Sequence, residues 1–285
     1  MQPKVSCALV ALLVCAHLFC EPAFSSYQRG GFALDPVADG ALLGLGAAFC
    51  ISAYAVQQTA SFPDYDERHY NLNSVNWLDR KLSQGYSEPL DHWGTATCAV
   101  NLALPFAVYG ALWACDAFSG EDYLVMSVMF AECYLLDYGT KTFLKMAILR
   151  KRPYMYYNDY PTSALDDGDF EFSSPSGHTT DAFLGAGFLT YTFCRWYPTS
   201  SWKIPVIATS YTVALTTAVL RVASGNHFLS DVVLGSLVGS AIGFGVPMLH
   251  ELIASRRQPT RTKRRRAGDV DFQVSPTGVL WQVAL

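Results

Sequence analysis

Residues 232–249 read VVLGSLVGSAIGFGVPML, eighteen positions with no Asp, Glu, Lys or Arg among them. A helix that crosses a bilayer needs roughly 20 mostly apolar residues, so this block with its flanks has the length and composition of a span. Four more blocks carry no charge: Gly40–Pro63, Trp93–Cys115, Ala182–Cys194 and Ile204–Leu220, of which Ala182–Cys194 needs its flanks to reach spanning length. Of the 285 residues, 51% are hydrophobic and only 15% charged, against about 25% charged in soluble domains. The withheld charge predicts an all-α fold, a membrane-embedded bundle with five or six core helices. The competing fold is a large soluble all-helical protein whose buried helices are apolar all round, and a mean hydropathy of +0.18 keeps it in contention.

Working outward, the basic run Arg256–Arg266 follows the last apolar block, as a cytoplasmic membrane flank does. The net charge of −4 and a pI near 5.8 give no footing for nucleic acid as a partner. All eight cysteines lie in apolar stretches with no zinc-like spacing, so they read as small core residues. At the other end, Lys4, the apolar run Val5–Phe19 and the small-residue pattern Ala23-Phe24-Ser25 follow the order of a secretory signal peptide over residues 1–25. Residues 26–92 then hold one apolar helix and a connector whose Asn76–Lys81 stretch suits either a helix at the membrane surface or a solvated loop. The helical core spans 93–249 and a basic tail 250–285. Within the tail, Asp271–Leu285 alternates around Pro276-Thr277-Gly278, a short-hairpin signal.

Three apolar helices separate the end of the third long helix from the tail, so these two points lie on opposite sides of the bilayer. Nine lysines and arginines fall on the tail side and five on the other once Lys145, Arg152 and Arg221, taken below as candidate site residues, are set aside, which places the tail in the cytoplasm and the opposite end at the periplasm or exterior. A cleaved signal agrees with that orientation only if Gly40–Val56, short and interrupted by Gly44, Gly46 and Ser52, packs on the bundle without crossing. An uncleaved N-terminal helix that starts outside is the other resolution.

Three clusters carry chemistry. Lys145 lies seven residues before Arg152 and Pro153, at the end of the apolar helix expected over Tyr123–Leu149. Seven residues is about two helical turns, which puts both cations on one face with Pro153 ending the helix, and an ammonium and a guanidinium fork together hold a phosphate. A plain basic membrane flank is the bland reading. Pro175-Ser176-Gly177-His178 stands at a loop-to-helix entrance, where unpaired N–H groups face an anion. There Gly177 permits close approach, the Ser176 hydroxyl adds a donor and His178 can protonate a leaving oxygen; an ordinary helix cap is the alternative. In the third cluster Arg221 precedes His227 and Asp231, with Ser224-Gly225-Asn226 breaking the helix between. His227 and Asp231, four apart, share one helix face, so a carboxylate can fix the imidazole tautomer and leave the other nitrogen to attack phosphorus. A structural His–Asp pair is the alternative. On the third helix, Asp137 and Lys141 are also four apart and are expected to pair, while Glu132 and Asp181 have no assigned partner.

Together these clusters resemble the signatures of the type-2 phosphatidic acid phosphatase superfamily, over about Trp93–Leu249: Lys145-x6-Arg152-Pro153, Pro175-Ser176-Gly177-His178 and Arg221-x5-His227-x3-Asp231. One departure is Leu220, where the family usually has Ser. The resemblance implies that Lys145, Arg152, Ser176, Gly177 and Arg221 hold the phosphate, with His227 as nucleophile, Asp231 as its orienter and His178 as the acid. It implies no cofactor and no metal. The expected activity is hydrolysis of a lipid phosphate or diphosphate through a phosphohistidine, with the lipid substrate and the membrane as partners and the oligomeric state open. Phosphatidate, phosphatidylglycerophosphate, undecaprenyl diphosphate and a lipid A phosphate are not distinguished. A secreted soluble acid phosphatase or a vanadium haloperoxidase shares the same signatures, and a polytopic transporter or scaffold explains the apolar helices but not the three clusters.

Overall fold

The computed structural model describes residues 27–28, 31–59, 70–157, 168–257, 270–275 and 278–283; the signal-peptide expectation on residues 1–25 lies outside them. Among the described residues there are six long helices: α1 (Pro36–Thr59), α3 (Glu88–Ala114), α4 (Gly120–Ile148), α5 (Gly177–Trp196), α6 (Lys203–Ala223) and α7 (Leu229–Arg257). A short helix, α2 (Trp77–Leu82), lies between the first two. The bundle is therefore all-α with the expected number of core helices. The last part of the chain, Leu252–Leu285, is a compact unit of its own. In it β1 (Val270–Ser275) pairs antiparallel with β2 (Gly278–Val283), Ser275 opposite Gly278, which is the hairpin its alternation predicts.

Four of the described helices, α1, α3, α6 and α7, are long and apolar enough to cross a membrane. Their large apolar side chains point outward: Leu45 and Ile51 on α1, Ile204 and Val219 on α6, Leu237 on α7. A soluble helical protein hides such residues, so this outer surface is that of a bundle solvated by lipid. Helix α5 is the converse case. Thirteen of its twenty residues are buried, and α3, α4 and α6 pack around it, so its sequence need not be lipid-compatible.

Glycine sets how closely α7 approaches α5. Gly235, Gly239 and Gly243, spaced by four, lie on one face of α7. A Cβ at these positions would stand 2.7 Å from the carbonyl oxygen of Ser176, 2.1 Å from that of Thr180 and 2.4 Å from that of Leu184. Backbone therefore meets backbone, the close contact that drives helix association where lipid gives no hydrophobic force.

Helix α1 corrects one expectation. Gly44 and Gly46 do not interrupt it; it runs for 24 residues, long enough to cross. Gly46 instead lets it press on α4, where an added Cβ would be 3.1 Å from the Leu135 Cβ. Further along, the Cys50 thiol donates to the Leu135 carbonyl at 2.9 Å and Phe49 stacks on Phe143. From Gly46 beside Leu135, through Phe49 on Phe143, to Gln57 beside the cavity that Lys145 also lines, the contacts advance along both helices together, so the two run parallel. One end of the bundle gathers the α3–α4 and α5–α6 connections; the other gathers the ends of α1, α4 and α6 and the starts of α3, α5 and α7. The five described cysteines are free thiols, with Cys98 and Cys133 buried as small core residues.

Candidate active site

The three sequence clusters meet at the second of these ends, but not by the local geometry their spacing predicts. Helix α4 stops at Ile148, and Leu149 closes it in the left-handed conformation, φ 46°. Lys145 is therefore in the last helical turn while Arg152 lies beyond the helix, and Pro153 opens a separate 3-10 turn. Backbone bonds position the segment instead: Ser173 N–H donates to the Arg150 carbonyl at 2.9 Å, and Arg152 N–H to the Phe170 carbonyl at 2.8 Å. Two more stitches join the other clusters, Tyr154 N–H to the Gly225 carbonyl and Ser176 N–H to the Asp231 carbonyl, each at 3.1 Å. The break after α6 depends on Gly225, whose φ of +73° and approach to the Gly85 carbonyl leave no room for a Cβ.

His227 is 1% exposed. Its Nδ1 lies 2.7 Å from the Ser173 carbonyl oxygen, which can only accept, so Nδ1 carries the proton and Nε2 is left with its lone pair. Burial, followed by the charges of Arg152, Arg221 and Lys145, holds the imidazole pKa well below 6.5 and keeps the ring neutral. Arg152 Nη1 is 3.4 Å from that Nε2. A neutral, oriented nitrogen base thus faces positive charge.

Asp231 does not orient this ring directly, contrary to the four-residue spacing argument. His227 precedes α7, and the Asp231 carboxylate turns away from it. One oxygen accepts from Arg150 at 2.6 Å; the other accepts from the Ser173 hydroxyl at 2.6 Å and from Phe228 N–H at 2.9 Å. The residue that fixes the tautomer is Ser173, and Asp231 holds Ser173. Arg150 is held in turn by Asp79 at 2.8 Å. Burial pushes the Asp79 pKa upward, but the bonds from Arg150 and Ser230 outweigh it and leave the carboxyl below its usual range.

Each phosphate-holding candidate has a distinct setting. Arg152 is paired with Asp169 at 2.7 Å. Arg221 is buried and pairs with Asp91, while its Nε has no hydrogen-bond partner among the described residues. Gly94 on α3 makes the room, since a Cβ there would be 3.0 Å from the Arg221 Cδ. Lys145 has no carboxylate at ion-pair distance among the described residues, and a Cβ on Gly177 would be 3.7 Å from its Nζ. Ser176 is fully buried, with its hydroxyl 3.0 Å from that of Thr179, and the first N–H groups of α5, which have no partner within the helix, can serve an anion beside it. His178 sits on the same first turn, its Nε2 3.3 Å from the Thr95 hydroxyl. The expected Asp137–Lys141 pair is present at 3.2 Å, and Asp181 is a second partner of Lys141.

The sequence reading missed Asp79, Asp91, Thr95, Arg150, Asp169 and Ser173. For two of them a signal existed: Asp91, Gly94 and Thr95 fall at i, i+3 and i+4 on one face of α3. Beside the site, an apolar groove of about 670 Å³ opens between α6 and α7, lined by Leu215, Val219, Leu229 and Val233 with Leu82 and Phe183. Leu229 is two residues from His227.

Residues 126–253 match the model of the PAP2 superfamily. Over 87 residues the chain is 39% identical to a lipid A 4′-phosphatase of Helicobacter pylori strain J99, an alignment that covers 30% of this chain and 36% of that protein. The chain therefore aligns with about a third of that relative's length. Among solved structures it is similar to a transmembrane PAP2-type phosphatidylglycerolphosphate phosphatase from Bacillus subtilis, at 21% identity and a TM-score of 0.43, covering 77% of this chain and 98% of that one. All eight site residues named from the sequence lie inside the segment that is similar to the PAP2 superfamily.

Proposed function

We propose that the chain is a phosphatase that removes a phosphate from a lipid phosphate or diphosphate through a phosphohistidine at His227, at the outer face of the membrane. The observation that carries this reading is the Nε2 of His227, left as a lone pair by the Ser173 carbonyl and faced by Arg152. Nε2 attacks phosphorus, the bond to the leaving oxygen breaks, and His178 supplies the proton that oxygen needs. Positive charge that appears on the His227 ring is taken up through Nδ1–H and the Ser173 carbonyl. Water then attacks the phosphohistidine, giving a proton to His178 and releasing inorganic phosphate. Lys145, Arg152 and Arg221 stabilise the equatorial oxygens in both steps, and no metal takes part in the transfer.

The lipid-facing groove between α6 and α7 gives an acyl chain a place beside the reacting phosphate. The name of the Helicobacter relative makes a lipid A 4′-phosphate the first substrate to try. For sidedness, the excess of basic residues after α7 supports a cytoplasmic position for that end, with the site opposite. Because α1 runs parallel to α4 and is long enough to cross, residue 36 then lies on the cytoplasmic side, and an uncleaved N-terminal segment fits this orientation better than a cleaved one.

The test is phosphate release by the purified full chain in detergent, as initial rates directly after chelation. Lipid A 4′-phosphate, phosphatidate, phosphatidylglycerophosphate, undecaprenyl diphosphate and a soluble aryl phosphate form the panel. Turnover of at least one lipid at a higher kcat/KM than the aryl phosphate is expected. Turnover of the aryl phosphate alone would favour the soluble-type acid phosphatase, and release from none of them would sink the proposal.

A further inference from the structure

Far from the site, one polar cluster is buried that phosphate chemistry does not use. Asp39 on α1, Glu132 on α4 and His250 on α7 are 6%, 3% and 1% exposed. Glu132 and Lys145 are separated by about 20 Å of helix at 1.5 Å per residue, so the cluster stands well away from the phosphate-holding cations. His250 Nε2 lies 2.5 Å from a Glu132 carboxylate oxygen, and His250 Nδ1 lies 3.7 Å from Asp39 Oδ1. The second Asp39 oxygen accepts from Asp35 N–H at 2.6 Å, which fixes the carboxylate with Oδ1 aimed at the ring. Neither Asp39 Oδ1 nor Glu132 Oε1 has a hydrogen-bond partner among the described residues.

We propose that Asp39 and His250 bind a divalent transition-metal ion, of which Zn²⁺ is the type, with Glu132 orienting the histidine. The separation of 3.7 Å is too long for a hydrogen bond, which needs about 2.7–3.2 Å. It is close to the edge of a tetrahedral site, about 3.4 Å for ligands roughly 2.1 Å from zinc. On the far side of the ring, Nε2–H donating to a carboxylate is the contact that fixes tautomer and orientation in metal-binding histidines. It leaves Nδ1 as a lone pair opposite a carboxylate oxygen, an arrangement that repels unless a cation lies between. A divalent ion also cancels the charge of two carboxylates buried between lipid-facing helices, whereas a proton on His250 cancels only one. Mixed imidazole and carboxylate ligands suit zinc or a neighbouring transition metal better than magnesium or calcium. The ion ties α1 to α7 across α4.

The full chain in detergent, stripped with a chelator and titrated with Zn²⁺, tests this by bound zinc per chain and the unfolding midpoint. Wild type is expected to take up about one zinc per chain and to unfold several degrees higher when loaded. His227→Ala keeps that zinc. Asp39→Asn and His250→Gln lose it, and Glu132→Gln binds it about 10- to 100-fold more weakly, the usual effect of losing an outer carboxylate. Stripped wild type that takes up no zinc, Asp39→Asn that still takes up one equivalent, or loss of zinc in His227→Ala would each overturn the proposal. Should Asp39→Asn fail to fold, Glu132→Gln decides, because it leaves both ligand atoms in place: unchanged zinc affinity there also overturns it.

Discussion

The two polar clusters inside this bundle use the same residue types with opposite balance of charge. At the candidate active site, His227 is surrounded by Lys145, Arg152 and Arg221; the carboxylates of Asp169 and Asp91 engage two of these cations, and among the described residues none meets Lys145. At the far end, His250 stands between two carboxylates, and no Lys or Arg among the described residues is ion-paired to either. The ring hydrogen bonds differ accordingly. His227 gives its Nδ1 proton to a neutral main-chain carbonyl and keeps Nε2 as a base among cations; His250 bonds Glu132 through Nε2 and only faces Asp39 Oδ1, 3.7 Å away, with Nδ1. The first is built to receive an anion and the second a cation. A buried histidine has no fixed role of its own, and its neighbours' charge decides what binds beside it.

The largest expected effect separates these two ends outright. His227→Ala should cut turnover by about 10⁴-fold or more and abolish radiolabel transfer to rapidly quenched protein, whereas Asp39→Asn should keep turnover within about threefold. His178→Ala falls between, and in a substrate-dependent way. With an alkyl leaving group such as a lipid phosphate, its loss should cost about 10²- to 10⁴-fold, and much less with an aryl phosphate, whose leaving group needs little protonation. Label persisting in His227→Ala, equal losses on both substrates in His178→Ala, or a dead Asp39→Asn would break the division drawn here.

The same comparison explains what was legible in the sequence. The proposed site residues sit on short segments at helix ends, where fixed spacings and Gly or Pro punctuation make a pattern from which Lys145, Arg152, His178, Arg221 and His227 could all be picked out as candidates. Their local geometry could not. The seven-residue spacing placed Arg152 on a helix that ends at Ile148, and the i, i+4 rule put Asp231 on a ring it does not touch. In both cases long-range bonds overrode local periodicity, through the backbone for Arg152 and through side chains for Asp231, and the partners that matter, Phe170 and Ser173, lie in and just after a short 3-10 turn that no repeat or motif marks. The far cluster draws single residues from positions 39, 132 and 250, each alone on its helix, so no spacing marks it. Helix number was readable because lipid exposure imposes composition; the length of α1 was misjudged because Gly44 and Gly46 serve close packing on α4 and do not end the helix.

A smaller effect probes how the catalytic end holds its histidine. Arg150 Nη1 bonds Asp231, Asp231 bonds the Ser173 hydroxyl, and the Ser173 carbonyl bonds His227. If these act as one chain, Asp231→Asn and Arg150→Gln should each lower kcat by about 10- to 100-fold with little change in KM. The double variant should then be scarcely worse than either single one, because coupled residues are non-additive. Multiplying losses, or an Arg150→Gln that behaves as wild type beside a severely impaired Asp231→Asn, would mean that Asp231 acts on the ring directly.

The smallest effect is one of pH, and its sign follows from the charge surrounding His227. The nucleophile must be neutral, so activity fails on the acid side as the ring takes up a proton. Burial and then Arg152 hold its pKa well below 6.5, so the acid limb of kcat/KM should lie below that value. Arg152→Gln removes one of the charges that depress it, and the limb should move toward higher pH, while the overall rate also falls because a phosphate-holding group is lost. The substrate has its own ionisation near pH 6, but with one aryl phosphate that contribution is common to both proteins and cancels in the comparison. A buried group whose pKa were set by desolvation alone would show no displacement in Arg152→Gln. An acid limb that stays in place would therefore show that the cations bind phosphate without tuning the nucleophile, and that burial alone keeps His227 neutral.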